Sequence, residues 1–200
     1  MNKAEMWFNR FCANSKAFKK LEANPDYIDL ACLAATLSYR ASVLRAVKFN
    51  GKKREAALAR KDGETIIKEF LCAAINEKTP FEIDVVYDIW NKIYKVYKKY
   101  GIDDYTYGNA QKWVNMSIKY YAVLLQHFNM ENSLITGIPV FPVDGIMIKH
   151  IKKEFNISFN GSWSQCNDID YLKSYIQAVK EKTEKKGMSL YDYELNAWES

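Results

Sequence analysis

Histidine, proline and glycine are scarce in this chain, with two, four and eight residues among 200. Each scarcity excludes something. His127 and His150 stand alone, and Cys12, Cys32, Cys72 and Cys166 form no Cys-x-x-Cys pair. A structural zinc or an iron–sulfur site therefore lacks its ligand set, and no metal is expected. Neither histidine has a sequence partner that would make a nucleophile–base relay. No cofactor is expected either. The contexts of Cys12, Cys32 and Cys72 are apolar and helical, which predicts buried thiols. Few glycines and prolines mean few turns and long elements, favouring helices over a many-stranded sheet. There is no apolar run of 18 residues, and residues 1–7 contain no continuous hydrophobic core of a signal. A soluble cytoplasmic protein without membrane partners is the expectation.

What is abundant is aromatic and basic. Fourteen Tyr, ten Phe and five Trp must in large part stack inside a domain of this size. The formal charge of +5 permits an anionic partner without requiring one. Hydrophobic periodicity predicts a single all-α globular domain, residues 1–200, of about eight helices. They fall over 3–22, 27–48, 55–60, 64–77, 79–100, 109–128, 144–154, 168–186 and a short final segment from 188 to 198. Asp62-Gly63 reads as a break. Thr79-Pro80-Phe81-Glu82 reads as a capping box, Gly101 as a helix stop, and 129–142 as irregular. A short extended piece is expected over 156–159.

One pair of residues points to chemistry. Lys112 lies near the start of the 109–128 helix, within Gly108-Asn109-Ala110-Gln111-Lys112-Trp113. Asp144 follows 32 residues later in Pro142-Val143-Asp144-Gly145, before an apolar run. Asp144 reads as an N-cap, and a capping carboxylate can also face a cleft. An amine and a carboxylate at successive helix entrances make a candidate nucleophile with its electrostatic partner. Lys119 is a rival on nearly the same helix face.

Residues 101–150 resemble the helix-hairpin-helix superfamily of DNA glycosylases. Residues 83–100 correspond to the first helix, 101–108 to the hairpin, Gln111-Lys112 to the opening of the second helix, and Pro142-Val143-Asp144 to the Asp motif. The long Lys-to-Asp spacing looks most like the archaeal 8-oxoguanine DNA glycosylase branch. Tyr105-Thr106-Tyr107-Gly108 departs from the Leu-Pro-Gly-Val-Gly type hairpin, and no cysteine cluster follows. The resemblance implies base excision on damaged purines, with DNA as partner. Lys112 would attack the sugar and Asp144 would stabilise the charge that develops. A flipped base needs an aromatic face, for which Trp113, Trp163 and Trp90 are candidates. Gln111 and Asn115, four apart, are placed to read a base edge. Lys52, Lys53, Arg54, Lys149, Lys152 and Lys153 are candidate phosphate-binding residues. The second reading is a non-catalytic helical module that binds nucleic acid or a protein, of the kind used in bacterial defence or regulation.

Overall fold

In a computed structural model, which describes residues 3–21 and 23–198, nine α-helices and two 3₁₀ turns form the chain and no strand is present among the described residues. The helices are α1 (Lys3–Phe11), α2 (Tyr27–Ser42), α3 (Lys53–Ala74), α4 (Ile83–Lys99), α5 (Tyr107–His127), α6 (Ser133–Thr136), α7 (Gly145–Phe155), α8 (Ile169–Glu184) and α9 (Leu190–Ala197). The all-α, single-domain expectation holds, and the segment 156–159 is not a strand. No helix among the described residues is long and apolar enough to cross a membrane.

Helix α5 is the axis of the domain. It packs against α1, α2, α3, α4 and α6, most extensively against α2. From Gly108 to Leu125 every residue is buried except Lys112. A helix buried all round must be apolar or have its polar groups paired internally. Most polar side chains of α5 meet that condition, the Nδ2 of Asn109 being a buried donor without a partner among the described residues. Ser117 bonds to Ser38 of α2, and Asn115 accepts the indole N–H of Trp90 on α4 at 3.0 Å. Thr106 caps the helix through a reciprocal bond with Asn109.

Several helix ends differ from the periodicity reading. The first helix stops at Phe11 rather than continuing, and the chain passes through a turn into a short 3₁₀ segment at Phe18–Lys20; Glu22 lies outside the described residues. The second helix stops at Ser42 instead of 48. Asp62-Gly63 does not interrupt α3, which runs unbroken for 22 residues. Gly63 is there for space: a Cβ would stand 2.5 Å from Cζ3 of Trp113. The glycine makes a notch in α3 into which a core indole fits. The capping box at Thr79 does not form, because α4 begins four residues later with Glu82 at the N-cap and no side-chain cap bond. Gly101 ends α4 with φ of +69°, a left-handed conformation suited to glycine. Cys12 is buried, and burial pushes its thiol up to about 12. Cys32, by contrast, is exposed and Cys72 half-buried, because only one face of α2 and of α3 meets the core.

Candidate active site

The one opening in the buried length of α5 is Lys112. Its ammonium lies 3.2 Å from Oδ2 of Asp144, and the two side chains are 12% and 5% exposed. On its other side the same nitrogen sits 4.4 Å from the ring centroid of Trp163, a cation–π contact. Gly108, one turn back on α5, lets the Trp163 segment approach. Its N–H donates to the carbonyl of Cys166 at 2.8 Å, and a Cβ there would lie 1.7 Å from the Trp163 carbonyl oxygen.

Asp144 divides its carboxylate. Oδ1 accepts the backbone N–H groups of Ile146 at 3.0 Å and Met147 at 3.1 Å, capping α7. Oδ2 is left to face Lys112. The capping role and the pairing role thus coexist in one side chain, and the cap fixes the direction in which the second oxygen points.

The segment before Asp144 has no regular structure, yet Ile138, Val140, Phe141 and Val143 are buried. Buried irregular backbone needs partners for its amides and carbonyls. Gln111 supplies two of them: Nε2 donates to the Val143 carbonyl at 2.8 Å, and Oε1 accepts the Val143 N–H at 3.0 Å. One turn on, Asn115 Nδ2 donates to the Phe141 carbonyl at 2.9 Å. Gln111 and Asn115, expected at a base edge, are fully buried and committed to this loop. Trp113, expected to stack on a base, is enclosed in the core. Its N–H donates to the Ala35 carbonyl at 3.0 Å and its ring meets Tyr39 edge-on. Trp90 is likewise core; of the three tryptophans considered from sequence, Trp163 is the one beside Lys112.

Lys112 and Asp144 line a cleft of about 530 Å³. Its walls come from α1 (Trp7, Arg10, Phe11), α2 and the turn after it (Leu37, Arg40, Arg45), α5 (Met116, Tyr120) and Trp198 at the end of α9. This is a volume suited to a small molecule or a single nucleotide. None of Lys52, Lys53, Arg54, Lys149, Lys152 and Lys153 lines it. All six are exposed; the first three sit at the start of α3, where Lys52 donates to the Gly101 carbonyl, and the others lie along α7. Sequence reasoning missed Trp7, Trp198 and the three arginines. Only the spacing of Trp7 and Arg10 on one face of α1 offered a signal.

Lys119 is not in the cleft. Its ammonium is buried, bonded to the carboxylate of Glu194 on α9 and lying 3.4 Å from the ring centroid of Trp7. Burial lowers the Lys119 ammonium and raises the Glu194 carboxyl, and each partner's charge opposes the other's shift. Trp198 lies 5.2 Å from the same ammonium. This pair therefore backs the aromatic wall of the cleft formed by Trp7 and Trp198, whose rings meet edge-on at 5.3 Å.

Among the described residues no group of three or more His, Cys, Asp or Glu is arranged to hold a metal ion. What the site offers chemically is an amine, a carboxylate at hydrogen-bond range, aromatic walls and a rim of cations. Compared with protein-family models, curated proteins and solved structures, the chain finds no match in any of the three.

Proposed function

We propose that the protein is a DNA base-excision glycosylase with lyase capacity, in which Lys112 is the nucleophile and Asp144 its partner. The observation that carries this reading is that Lys112 alone interrupts the buried surface of α5, and does so 3.2 Å from a carboxylate inside a nucleotide-sized cleft. A lysine whose only role is solubility sits on an exposed face. Placing this one between a carboxylate and an indole, at the mouth of the core, costs desolvation.

The chemistry uses those groups in order. A damaged purine nucleotide leaves the stack and its base enters the cleft between aromatic walls. The Lys112 ammonium first releases one proton to solvent, and the free amine then bonds to C1′ as the N-glycosidic bond breaks. The electron pair of that bond leaves with the base, which takes up a proton from water, and the positive charge that spreads over C1′ and the ring oxygen as the bond breaks meets the Asp144 carboxylate. Once the N–C1′ bond has formed, Asp144 takes the second proton from the Lys112 nitrogen. Opening of the sugar ring then leaves a Schiff base between Lys112 and C1′. The arrangement also agrees with the helix-hairpin-helix glycosylase resemblance, in which a lysine opening the second helix and an Asp capping a later one perform these steps.

The test is borohydride trapping on duplexes carrying 8-oxoguanine, uracil or an abasic site. Hydride reduces the Schiff base to a stable amine, so the wild type should become covalently attached to DNA and Lys112→Ala should not. Folded wild-type protein that gives no adduct on any of these duplexes would falsify the reading and favour a non-catalytic binding module.

A further inference from the structure

We propose that Arg10, Arg40 and Arg45 grip the phosphodiesters that flank the nucleotide entering the Lys112 cleft. The inference rests on the glycosylase reading and assigns the DNA-backbone contacts to residues outside both lysine clusters expected from sequence.

Three separate segments bring these guanidiniums to one cleft: Arg10 from α1, Arg40 from α2 and Arg45 from the turn after it. All three residues are exposed. Among the described residues that line the cleft, four cationic side chains, these and Lys112, face one carboxylate, that of Asp144. That carboxylate is already occupied by Lys112 and two backbone amides. Among the described residues none of the three arginines has a carboxylate partner of its own, whereas Arg60 on α3 is paired with Glu64. Like charges gathered without counter-charge repel, and an anion placed among them removes that repulsion.

The arginines also have the right form. A guanidinium presents a planar fork of donors that matches two phosphate oxygens, and its weaker hydration suits a partly enclosed rim. Arg10 stands 5.1 Å from the ring centroid of Phe11 and 6.0 Å from that of Trp198, which fixes it at the aromatic wall. The cleft, of about 530 Å³, is of a size for one nucleotide, and a base set against its aromatic walls would leave the flanking phosphates toward the arginine rim. Lys52, by comparison, already donates to the Gly101 carbonyl.

The experiment is fluorescence anisotropy with a labelled duplex carrying a tetrahydrofuran abasic analogue, titrated at several salt concentrations. Wild type, Arg40→Gln, Arg45→Gln, the double variant and Lys149→Gln/Lys152→Gln/Lys153→Gln are compared, with circular dichroism confirming that each is folded. Each arginine variant should bind about tenfold more weakly. The slope of log affinity against log salt should flatten by about 0.9 for each phosphate that is no longer neutralised. Arginine variants with wild-type affinity and slope overturn the proposal, as does a wild type that does not bind the duplex. Trapping on an abasic duplex separates the two readings. If the wild type traps while the arginine variants bind unchanged, the arginine assignment alone fails. If the arginine variants lose affinity but the wild type never traps, the nucleophile reading fails and the arginine cleft stands as a DNA-backbone site.

Discussion

Gln111 holds Val143 with both ends of its side-chain amide, donating to its carbonyl at 2.8 Å and accepting from its N–H at 3.0 Å. The residues that follow each of them in the chain are Lys112 and Asp144. A side-chain amide thus takes the place of a strand partner and sets the register between α5 and the loop, one residue away from the ion pair on each side. The clamp holds the two chain segments that carry the pair at a fixed register.

Removing the clamp should therefore loosen the site without touching it. Gln111→Leu keeps the volume roughly but leaves the Val143 N–H and carbonyl buried and unpaired. A buried group left unsatisfied costs about 1–3 kcal/mol. Chemical unfolding should show a loss of about 2 kcal/mol or more, and trapping on abasic DNA should slow more than tenfold although Lys112 and Asp144 are intact. Wild-type trapping by Gln111→Leu would show that the register is held elsewhere.

Substitutions at Asp144 should separate its two roles. Asparagine caps helices about as well as aspartate, whereas alanine costs about 1 kcal/mol at such a position. Asp144→Asn should be more stable than Asp144→Ala by roughly that amount, since Oδ1 of either an aspartate or an asparagine can accept from Ile146 and Met147. Both variants should lose trapping, because neither places a carboxylate beside Lys112. Retention of the wild-type trapping rate by Asp144→Asn would reduce Asp144 to a cap.

Gly108→Ala addresses the approach of Trp163. In a free helix the change would gain up to about 1 kcal/mol in propensity. Here the added Cβ meets a backbone carbonyl oxygen at 1.7 Å, an atom that cannot rotate away. The 163–166 turn must move, taking the indole from the Lys112 ammonium. Overpacking of this kind costs about 1–3 kcal/mol, so the melting temperature should fall and trapping should slow. A variant that is more stable than wild type would mean the turn yields freely.

The Lys119–Glu194 pair should behave as a buried ion pair. Above about pH 7, where Glu194 is ionised, removing one partner alone, as in Glu194→Leu, leaves an uncompensated charge and should cost about 3–5 kcal/mol. Lys119→Met/Glu194→Leu together should be near neutral, or stabilising by about 1–4 kcal/mol. The pH dependence follows from Glu194, whose carboxyl burial pushes up from the usual 4.5 to about 7. A carboxyl raised in the folded state binds its proton more tightly there than in the unfolded chain. Its contribution to stability is thus full below about 4.5 and lost as pH rises through about 7. Between those values the wild type should lose stability relative to the double variant as pH rises, as read from denaturant midpoints. A difference that stays flat across this window would contradict the assignment.

Much of the fold was legible in the linear pattern. The scarcity of glycine and proline, with apolar residues recurring at helical spacing, was enough for an all-α domain. Asp144 could be read as an N-cap and Gly101 as a stop, because caps depend on residues close in sequence. Lys112 and Asp144 could be singled out as residues at helix starts, though not as neighbours. Tertiary structure decided the rest. Gly63 reads locally as a breaker and serves as a notch for Trp113, 50 positions away in the sequence. Gln111, Asn115 and Trp113 have the chemistry of base recognition, but the burial of α5 on all sides commits them to the loop and the core. Lys112 and Lys119 are seven residues apart on one helix. What separates them is which element covers each, α9 sealing Lys119 with Glu194 while the cleft leaves Lys112 open. The arginine rim is assembled from three segments whose proximity no local pattern encodes. Sequence carries what short-range hydrogen bonding and periodicity dictate; burial and long-range packing decide which side chains remain free to act.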